Sequence, residues 1–231
     1  MSDPFANMAP MARRFEQKIG QRAWWRGRLC ALDLETTGPD AHHDRLVSAA
    51  VVWVGGGVPT ETQCWLARPT LPIPPDVAAI HGISDELARV QGRDPATVVG
   101  EVADALRAAW ALGLPVVAYN ASFDLTVVAA ELERHRLAPL ALGPVIDPWV
   151  LDRHFDPERA ERRRLNLVCR RYRVRLDHHH RADADALAAA ELACAVAEAF
   201  PALRGFGLHE LPAAQARWRS AFAPRGQQVA A

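Results

Sequence analysis

The stretch from Leu32 to Gly38, Leu-Asp-Leu-Glu-Thr-Thr-Gly, is the feature that most constrains the fold of this chain. Because side chains at i and i+2 of a strand project from one face, Asp33 and Glu35 stand side by side while the leucines around them face the core. Two carboxylates held this close repel each other unless a cation lies between them. Ionised carboxylates on an apolar strand are also costly unless they are paired or bind a metal. The stretch therefore predicts a strand that carries metal ligands, with a half-buried strand and a solvated face as the alternative.

Length, charge and cysteine content limit the class of protein. The 231 residues, half of them hydrophobic, are enough for one compact domain with appended tails. The formal net charge of zero argues against a protein that coats nucleic acid by bulk electrostatics. The four cysteines form no Cys-x-x-Cys pair, the N-terminus lacks an apolar signal core, and the longest apolar runs are short or interrupted by charge. We therefore expect a cytoplasmic protein with reduced thiols and no membrane span.

A basic run between residues 153 and 181 provides local positive charge in a neutral chain. Its arginines are Arg159, Arg162, Arg163, Arg164, Arg170, Arg171, Arg173 and Arg175, with Tyr172 among them. A solvated helix face explains such a run as readily as a phosphate-binding edge does. The position of the run just before an acidic cluster favours the phosphate-binding edge.

The order of the predicted elements indicates the α/β class. Short apolar and β-branched runs at 28–33, 45–54 and 61–67, separated by turns rich in glycine and proline, predict an antiparallel meander. Helical spacing over 95–112 precedes a wholly apolar strand at 115–119, and such strands are buried on both faces. Further predicted elements are a helix at 122–136, a strand at 145–146, a helix after residue 148, and helices at 165–172, 183–200 and 211–222. This order predicts a mixed sheet covered by helices.

Two more polar clusters fall near strand ends and helix starts, where a ligand site in such a sheet collects its residues. One is the run Asn-Ala-Ser-Phe-Asp at 120–124, in which we expect Ser122 to cap a helix and Asp124 to lie in its first turn. The helix dipole stabilises an anion there by about 0.3–1 kcal/mol, and this explains Asp124 as well as a ligand role does. The other cluster is His-His-His-Arg-Ala-Asp-Ala-Asp at 178–185, at the entry to the long helix.

Taken in order, these motifs resemble the DEDDh 3′→5′ exonucleases. The resemblance rests on Asp-Leu-Glu-Thr-Thr-Gly at 33–38, Ile-His-Gly-Ile-Ser at 80–84, Asn-x-x-x-Asp at 120–124 and His-x-Ala-x-x-Asp at 180–185. It covers roughly residues 28–200, and the motifs are specific together although each alone is weak. The family includes the proofreading epsilon subunit of bacterial DNA polymerase III, ribonuclease T and oligoribonuclease. It implies an α/β fold of the ribonuclease H-like type, a mixed five-stranded sheet flanked by helices.

The resemblance also implies a catalytic set and a cofactor. Asp33, Glu35, Asp124 and Asp185 look like the four carboxylates that hold two divalent cations, Mg²⁺ or Mn²⁺, which prefer oxygen ligands. Such a pair of cations activates the attacking water and neutralises the leaving 3′ oxygen. His180 looks like the general base that takes the proton of that water.

A substrate pocket is implied in the same way. Thr36, Thr37, His81 and Asn120 look like the residues that hold the terminal nucleotide. Phe123 is a candidate for stacking on a base, and packing in the core is an equal alternative. The implied partner is a nucleic-acid 3′ end, with single-stranded DNA favoured and RNA also open. A DNA polymerase is a second candidate partner.

The histidine run offers two registers for the last motif. In one, Asp183 lies five residues after His178, and in the other Asp185 lies five residues after His180. Residues two apart on a helix point about 200° away from each other, so only one aspartate faces the metals. We choose Asp185, because only that register places the small Ala182 at the third position of the motif. The first two histidines of the run are then expected in a solvated loop.

We expect three segments along the chain. Residues 1–27 form an N-terminal extension in which Trp24 and Trp25 dock, residues 28–200 form the exonuclease domain, and residues 201–231 form a C-terminal helix and a flexible tail. Trp218 in that helix is expected to dock on the core rather than on a partner.

The complete set of residue types predicts a metal-dependent 3′→5′ exonuclease that releases nucleoside 5′-monophosphates. Two alternatives remain open: a catalytically silent module that holds nucleic-acid ends or docks on a polymerase, and an RNA-directed exoribonuclease. An endonuclease of the wider ribonuclease H-like class is disfavoured by His180.

Overall fold

The computed structural model describes residues 23–222 of the chain. The strands are β1 (Arg28–Thr36), β2 (Leu46–Gly55), β3 (Glu61–Leu66), β4 (Val116–Val117) and β5 (Val145–Ile146). The α-helices are α1 (Pro75–His81), α2 (Asp85–Gln91), α3 (Pro95–Ala111), α4 (Ser122–Arg134), α5 (Pro148–Phe155), α6 (Leu165–Tyr172), α7 (Ala182–Ala199) and α8 (Leu211–Phe222). Two short 3₁₀ helices, Trp24–Arg26 and Pro201–Gly205, precede β1 and α8. Within the described range, none of the helices combines the length and the apolarity that crossing a membrane requires.

The five strands form one mixed sheet in the order β3-β2-β1-β4-β5. The first three strands pair antiparallel, as the predicted meander requires, and β4 and β5 join them parallel to β1. β1 is therefore the central strand. The predicted α/β class, with a mixed five-stranded sheet flanked by helices, is confirmed.

Alternate residues of β1 face opposite sides of the sheet, and helices cover both sides. Cys30, Leu32 and Leu34 pack on the side of α3 and α4. Leu29 and Ala31 pack on the other side, where α7 lies across β1 and β2. Small buried side chains on α7 allow this close approach, namely Ala186, Ala188, Ala189, Ala190, Ala193 and Ala197. The same alternation carries Asp33 and Glu35 to the α7 side, where β1 approaches its end.

The predicted docking of tryptophans is confirmed at both ends of the described range. Trp24 is 4% exposed and belongs to the core cluster on the α7 side. Trp218 stacks on His154 with 4.0 Å between ring centroids, and it contacts Phe155 and Phe206 edge-on. Most of the predicted N-terminal extension and the tail after residue 222 lie outside the described residues, and the division into three segments stays a prediction.

The predicted helix cap at Ser122 is wrong. Ala121 occupies the N-cap position with helical dihedral angles, and Ser122 is the first residue of α4. The chain turns one residue earlier than expected, because Asn120 adopts a left-handed φ of 61° and the helical geometry begins directly after it. The Ser122 hydroxyl instead accepts a hydrogen bond from Arg219, and its carbonyl accepts one from Thr126.

Candidate active site

Three of the predicted carboxylates converge where the end of β1 meets α7. Asp33, Glu35 and Asp185 each present an oxygen atom, and these oxygens lie within 4.8 Å of one another. The first two come from one face of β1, and Asp185 comes from the first turn of α7. The pleat of the strand and the docking of the helix therefore bring distant parts of the chain to one point.

Negative charge is crowded at this point. Burial, followed by the charges of Asp124, Asp185 and Glu35, raises the pKa of Asp33 well above its ordinary value. Burial and the charge of Asp185 raise the pKa of Glu35 to about 8. Carboxylates that repel each other in this way are stabilised by a bound cation, and their oxygen atoms suit a hard divalent cation. The donor set therefore fits the implied metal.

Asp124 reaches the same region from the first turn of α4. Its side chain is buried, and burial raises its pKa well above the ordinary value, with the charges of Asp147 and Glu35 adding to the rise. The charge of Asp124 in turn raises the pKa of Asp33. Asp124 thus flanks the group of three carboxylates whose oxygens lie within 4.8 Å of one another.

The histidine run folds over Asp185. The backbone N–H of His180 donates to Asp185 Oδ2 at 3.0 Å, and His179 Nδ1 lies 3.0 Å from Asp185 Oδ1. The two imidazole rings stack with their centroids 3.8 Å apart. Burial, followed by the charge of His179, lowers the pKa of His180, with the charge of Arg164 acting in the same direction and that of Asp185 opposing it.

His179 is the residue that the sequence reasoning missed. A solvated loop was expected for it, but its side chain is 27% exposed and contacts the Asp185 carboxylate. With His180 and Asp185 it forms a second group whose ligand atoms lie within 4.8 Å of one another. The expectation is wrong because a buried carboxylate needs a donor, and the neighbouring imidazole supplies it. His178 is exposed, as expected.

The two aspartates of the register question have different surroundings. Asp185 is 5% exposed and lies with Asp33 and Glu35. Asp183 is partly exposed, and its carboxylate pairs with the Arg181 guanidinium at 2.9 Å. The angular offset of about 200° between residues two apart on α7 thus directs only Asp185 toward the strand carboxylates.

The two threonines after Glu35 shape the bend that follows it. Thr36 Oγ1 donates to the Gly38 carbonyl at 2.6 Å, and Thr37 Oγ1 donates to Asp44 Oδ1 at 2.9 Å. A Cβ atom on Gly38 would lie 2.6 Å from the Asp44 carboxylate, so a larger residue would have to displace the side chain that accepts the Thr37 hydroxyl. Both threonines are buried, and their hydroxyl groups hold the bend in place beside the carboxylates.

The other predicted pocket residues lie at different depths. His81 ends α1 and is 8% exposed; its Nδ1 accepts from the Ile83 N–H at 3.1 Å, while Nε2 has no hydrogen-bond partner among residues 23–222. Burial and the charge of His180 lower the pKa of His81.

Asn120, another of the predicted pocket residues, is exposed. Phe123 is partly buried and packs against the core on the α4 side, and its stacking on a base stays a prediction.

Part of the basic run is internal to the fold. Arg163 Nε lies 2.9 Å from the fully buried Asp152 carboxylate, and Arg159 lies 3.4 Å from it. A buried carboxylate is costly without such partners. These two arginines therefore stabilise the fold by pairing with Asp152 and do not form a phosphate-binding edge. Arg164, in contrast, is exposed and lies near enough to His180 to lower the pKa of His180.

The chain has a mixed sheet, and carboxylates and a histidine lie together at the end of its central strand. This arrangement is that of the DEDDh-type 3′→5′ exonucleases, a class of hydrolases with a ribonuclease H-like fold. The chain belongs to this exonuclease family, because the family model RNase_T, described as exonuclease, matches residues 30–193. The predicted family is confirmed.

Two comparisons describe what the chain is similar to. It is 32% identical over 160 residues to the PolC-type DNA polymerase III of Bacillus subtilis (strain 168), covering 69% of this chain and 11% of that protein. It is 35% identical over 166 residues to the PolC-type DNA polymerase III of Streptococcus pyogenes, covering 71% of this chain and 11% of that protein. The chain thus spans about a tenth of the length of the curated relatives it matches.

Solved structures of exonuclease I share the fold. E. coli exonuclease I in complex with a dA13 oligonucleotide superposes with a TM-score of 0.65 and 20% identity, covering 77% of this chain and 42% of that one. Exonuclease I from Methylocaldum szegediense gives a TM-score of 0.66 and 22% identity, covering 88% and 49%.

Proposed function

We propose that this protein hydrolyses phosphodiester bonds at the 3′ ends of single-stranded DNA, with two divalent cations, and releases nucleoside 5′-monophosphates. The observation that carries the proposal is the convergence of Asp33, Glu35 and Asp185, with oxygens within 4.8 Å of one another. Membership of the exonuclease family supports the reaction class.

The proposed metal ligands are Asp33, Glu35, Asp124 and Asp185, and Mg²⁺ or Mn²⁺ fits their all-oxygen donor set. When bound, such cations supply a more acidic water and offset the charge that develops on the phosphate and on the leaving oxygen. These carboxylates would lose their protons when the cations bind and would then hold the cations in place.

The proposed general base is His180. A base must be neutral to accept a proton, and burial and the nearby charges lower the pKa of His180, which keeps it neutral at physiological pH. His179 contacts the Asp185 carboxylate and holds it in place. The proton taken from the attacking water passes to the imidazole of His180.

The proposed pocket for the terminal nucleotide is formed by the bend at Thr36 and Thr37, by His81 and by Asn120. The Nε2 of His81 is a buried polar atom without a partner in the described part of the chain, and a substrate oxygen or a water would satisfy it. Single-stranded DNA is the proposed substrate because a structural neighbour, exonuclease I, binds an oligonucleotide and the relatives are DNA polymerases. RNA is the alternative substrate, and a polymerase is the proposed protein partner.

Digestion of a 5′-labelled oligonucleotide tests the proposal. With Mg²⁺ or Mn²⁺, the wild-type protein should produce a ladder of shortened labelled products from linear single-stranded DNA, while EDTA stops the reaction and circular DNA stays intact. Matched RNA and mismatched duplex rank the substrates. Cleavage of circular DNA would identify an endonuclease, and no ladder with either metal would contradict the proposal.

Metal affinity should rise with pH up to about 8, the pKa of Glu35 in the metal-free protein. A raised pKa leaves this carboxyl protonated at neutral pH, so a cation must displace a proton to bind. Each displaced proton makes the association constant rise about tenfold per pH unit below the pKa of its carboxyl. The contribution of Glu35 ends near pH 8, and the raised pKa values of Asp33 and Asp124 add to the slope. Calorimetric titration with Mn²⁺ from pH 6 to 9 measures this slope.

Asp183→Asn is the matched control for the metal titration, because Asp183 pairs with Arg181 outside the carboxylate group. It should show the same slope as wild type. An association constant that does not change between pH 6 and pH 8 would show that no carboxyl is protonated in the free site.

A further inference from the structure

The turn that leads into α4 donates two backbone hydrogen bonds to one buried carboxylate, that of Asp147. Asp147 is 5% exposed and follows β5, next to β4 in the sheet. Its Oδ1 accepts the Asn120 N–H at 2.9 Å, and its Oδ2 accepts the Ala121 N–H at 3.1 Å. Because Asn120 has a left-handed φ of 61°, its backbone needs such support to keep one conformation. Asp147 thus ties the Asn-x-x-x-Asp motif to the sheet.

The C-terminal helix α8 holds Asp147 in turn. Gln215 is 6% exposed; its Oε1 accepts the Asp147 N–H at 2.7 Å, and its Nε2 donates to the Val145 carbonyl at 2.8 Å. One turn later, Arg219 Nη2 donates to Asp147 Oδ2 at 3.0 Å. Gln215 therefore fixes the backbone of the β5 end, and Arg219 pairs with the carboxylate.

Arg219 also contacts the motif directly. Its Nη2 donates to Asn120 Oδ1 at 2.9 Å, and its Nη1 donates to the Ser122 hydroxyl. The guanidinium carbon lies 5.3 Å from the centroid of the Trp149 ring, a cation–π distance that orients the charged group. The planar guanidinium is thus placed to bridge Asn120, Ser122 and Asp147 at once, a geometry that the point charge of a lysine does not reproduce.

This bridge comes from outside the region that the family model matches. The match ends at residue 193, whereas α8 spans Leu211–Phe222. The turn that carries Asn120 and Asp124 is therefore held by a segment that the shared family region does not contain.

We propose that Arg219, seated by Gln215 and Asp147, is a positioning residue that holds the Asn120 side chain for the terminal nucleotide. The inference rests on the proposed exonuclease function, in which Asn120 contacts the substrate. Arg219 does not touch the reacting atoms; it fixes Asn120 Oδ1 on one side and leaves the amide N–H₂ free to donate to a nucleotide.

Steady-state kinetics of Arg219→Ala on single-stranded DNA test the proposal, with Arg217→Ala as the matched control because Arg217 is exposed on the same helix. Misplacement of a substrate contact lowers kcat/KM, here by about 10- to 100-fold. The loss should lie mainly in KM, since Asp147 still accepts the N–H groups of Asn120 and Ala121 and so keeps the turn before Asp124 in place. Arg219→Lys, which retains the charge, should also lose activity, and Arg217→Ala should match wild type.

A double mutant separates positioning from general destabilisation. Asn120→Gly removes the side chain and tolerates the positive φ. If Arg219 acts through Asn120, adding Arg219→Ala to Asn120→Gly should lower kcat/KM no further, because contacts that act as a unit are not additive. Thermal unfolding of each variant shows whether it is folded at the assay temperature, and Arg219→Lys replaces Arg219→Ala if the alanine variant is not.

Two results would overturn the inference while leaving the proposed function intact: wild-type kinetics in a folded Arg219 variant, or losses from Asn120→Gly and Arg219→Ala that multiply. Absence of products from wild-type protein would instead refute the proposed function itself.

Discussion

Asp185→Asn should lower kcat with Mg²⁺ by about 10³-fold or more, whereas Asp183→Asn should retain most of the activity. Loss of a metal ligand removes several kcal/mol of transition-state stabilisation, and each 1.36 kcal/mol is tenfold in rate. Asparagine keeps an oxygen that accepts the His180 N–H, now 3.0 Å from Asp185 Oδ2, so the loop should keep its conformation. Single-turnover rates on a 5′-labelled oligonucleotide measure the effect.

The Asp183→Asn variant is the matched control, because it removes the same charge two residues away on the same helix turn. It separates the loss of a metal ligand from a general effect of charge on the helix. Asp183 is partly exposed and pairs with Arg181, so its loss changes the surface and not the carboxylate group. Equal losses in both variants would point to helix destabilisation. A larger loss in Asp183→Asn would mean that the other register, with His178, is the catalytic one.

His180→Asn should lower kcat by about 10²- to 10⁴-fold, the range typical of a general base. Asparagine tolerates the left-handed φ of 70° at this position better than alanine does. At saturating metal, the wild-type rate should decrease as the pH is lowered, because protonated His180 cannot accept a proton. The midpoint of this acid limb should lie below the ordinary imidazole pKa of about 6.5, because burial and nearby charge favour the neutral ring. This acid limb should be absent from His180→Asn.

The two neighbouring histidines provide the controls for the base assignment. His178→Asn should behave as wild type, since His178 is exposed. His179→Asn should lower the rate while keeping the acid limb, because His179 contacts the Asp185 carboxylate at 3.0 Å. Loss of the acid limb in His179→Asn, with the limb intact in His180→Asn, would move the role of the base to His179.

The sheet and the core of the site could be predicted because their signals are local. The two-residue alternation in β1 distinguishes Asp33 and Glu35 from the leucines between them, and the apolar run at β4 marks a buried strand. Helix geometry showed that only one of Asp183 and Asp185 could face the strand carboxylates, and the place of Ala182 in the motif selected Asp185. Each of these inferences uses residues within a few positions of one another.

The contacts of α8 could not be predicted, although its position in the chain was. Gln215 and Arg219 resemble ordinary polar residues of a surface helix, and nothing in their spacing marks a partner. Arg219 bonds to Asn120 across 99 positions, and Gln215 bonds to Asp147 across 68. Such pairs depend on how helices dock on the sheet, which no local pattern encodes.

The buried ion pairs of Asp152 and the contact of His179 were missed for the same reason. From the sequence alone, a run of arginines predicts a charged surface. The structure instead has a fully buried carboxylate, Asp152, with which two of these arginines pair. Likewise, His179 contacts Asp185 from a loop in which His178 and His180 have positive φ values of 59° and 70°. Tertiary packing overrides composition at both places.

The first product released from linear single-stranded DNA with Mg²⁺ identifies both the reaction and the end of the strand that the protein attacks. Mass spectrometry should find nucleoside 5′-monophosphates from the 3′ terminus, formed by wild type and by Asp183→Asn but not by Asp185→Asn or in EDTA. Release of nucleotides from the 5′ end, of 3′-monophosphates, or of the same product by Asp185→Asn would contradict the proposed function.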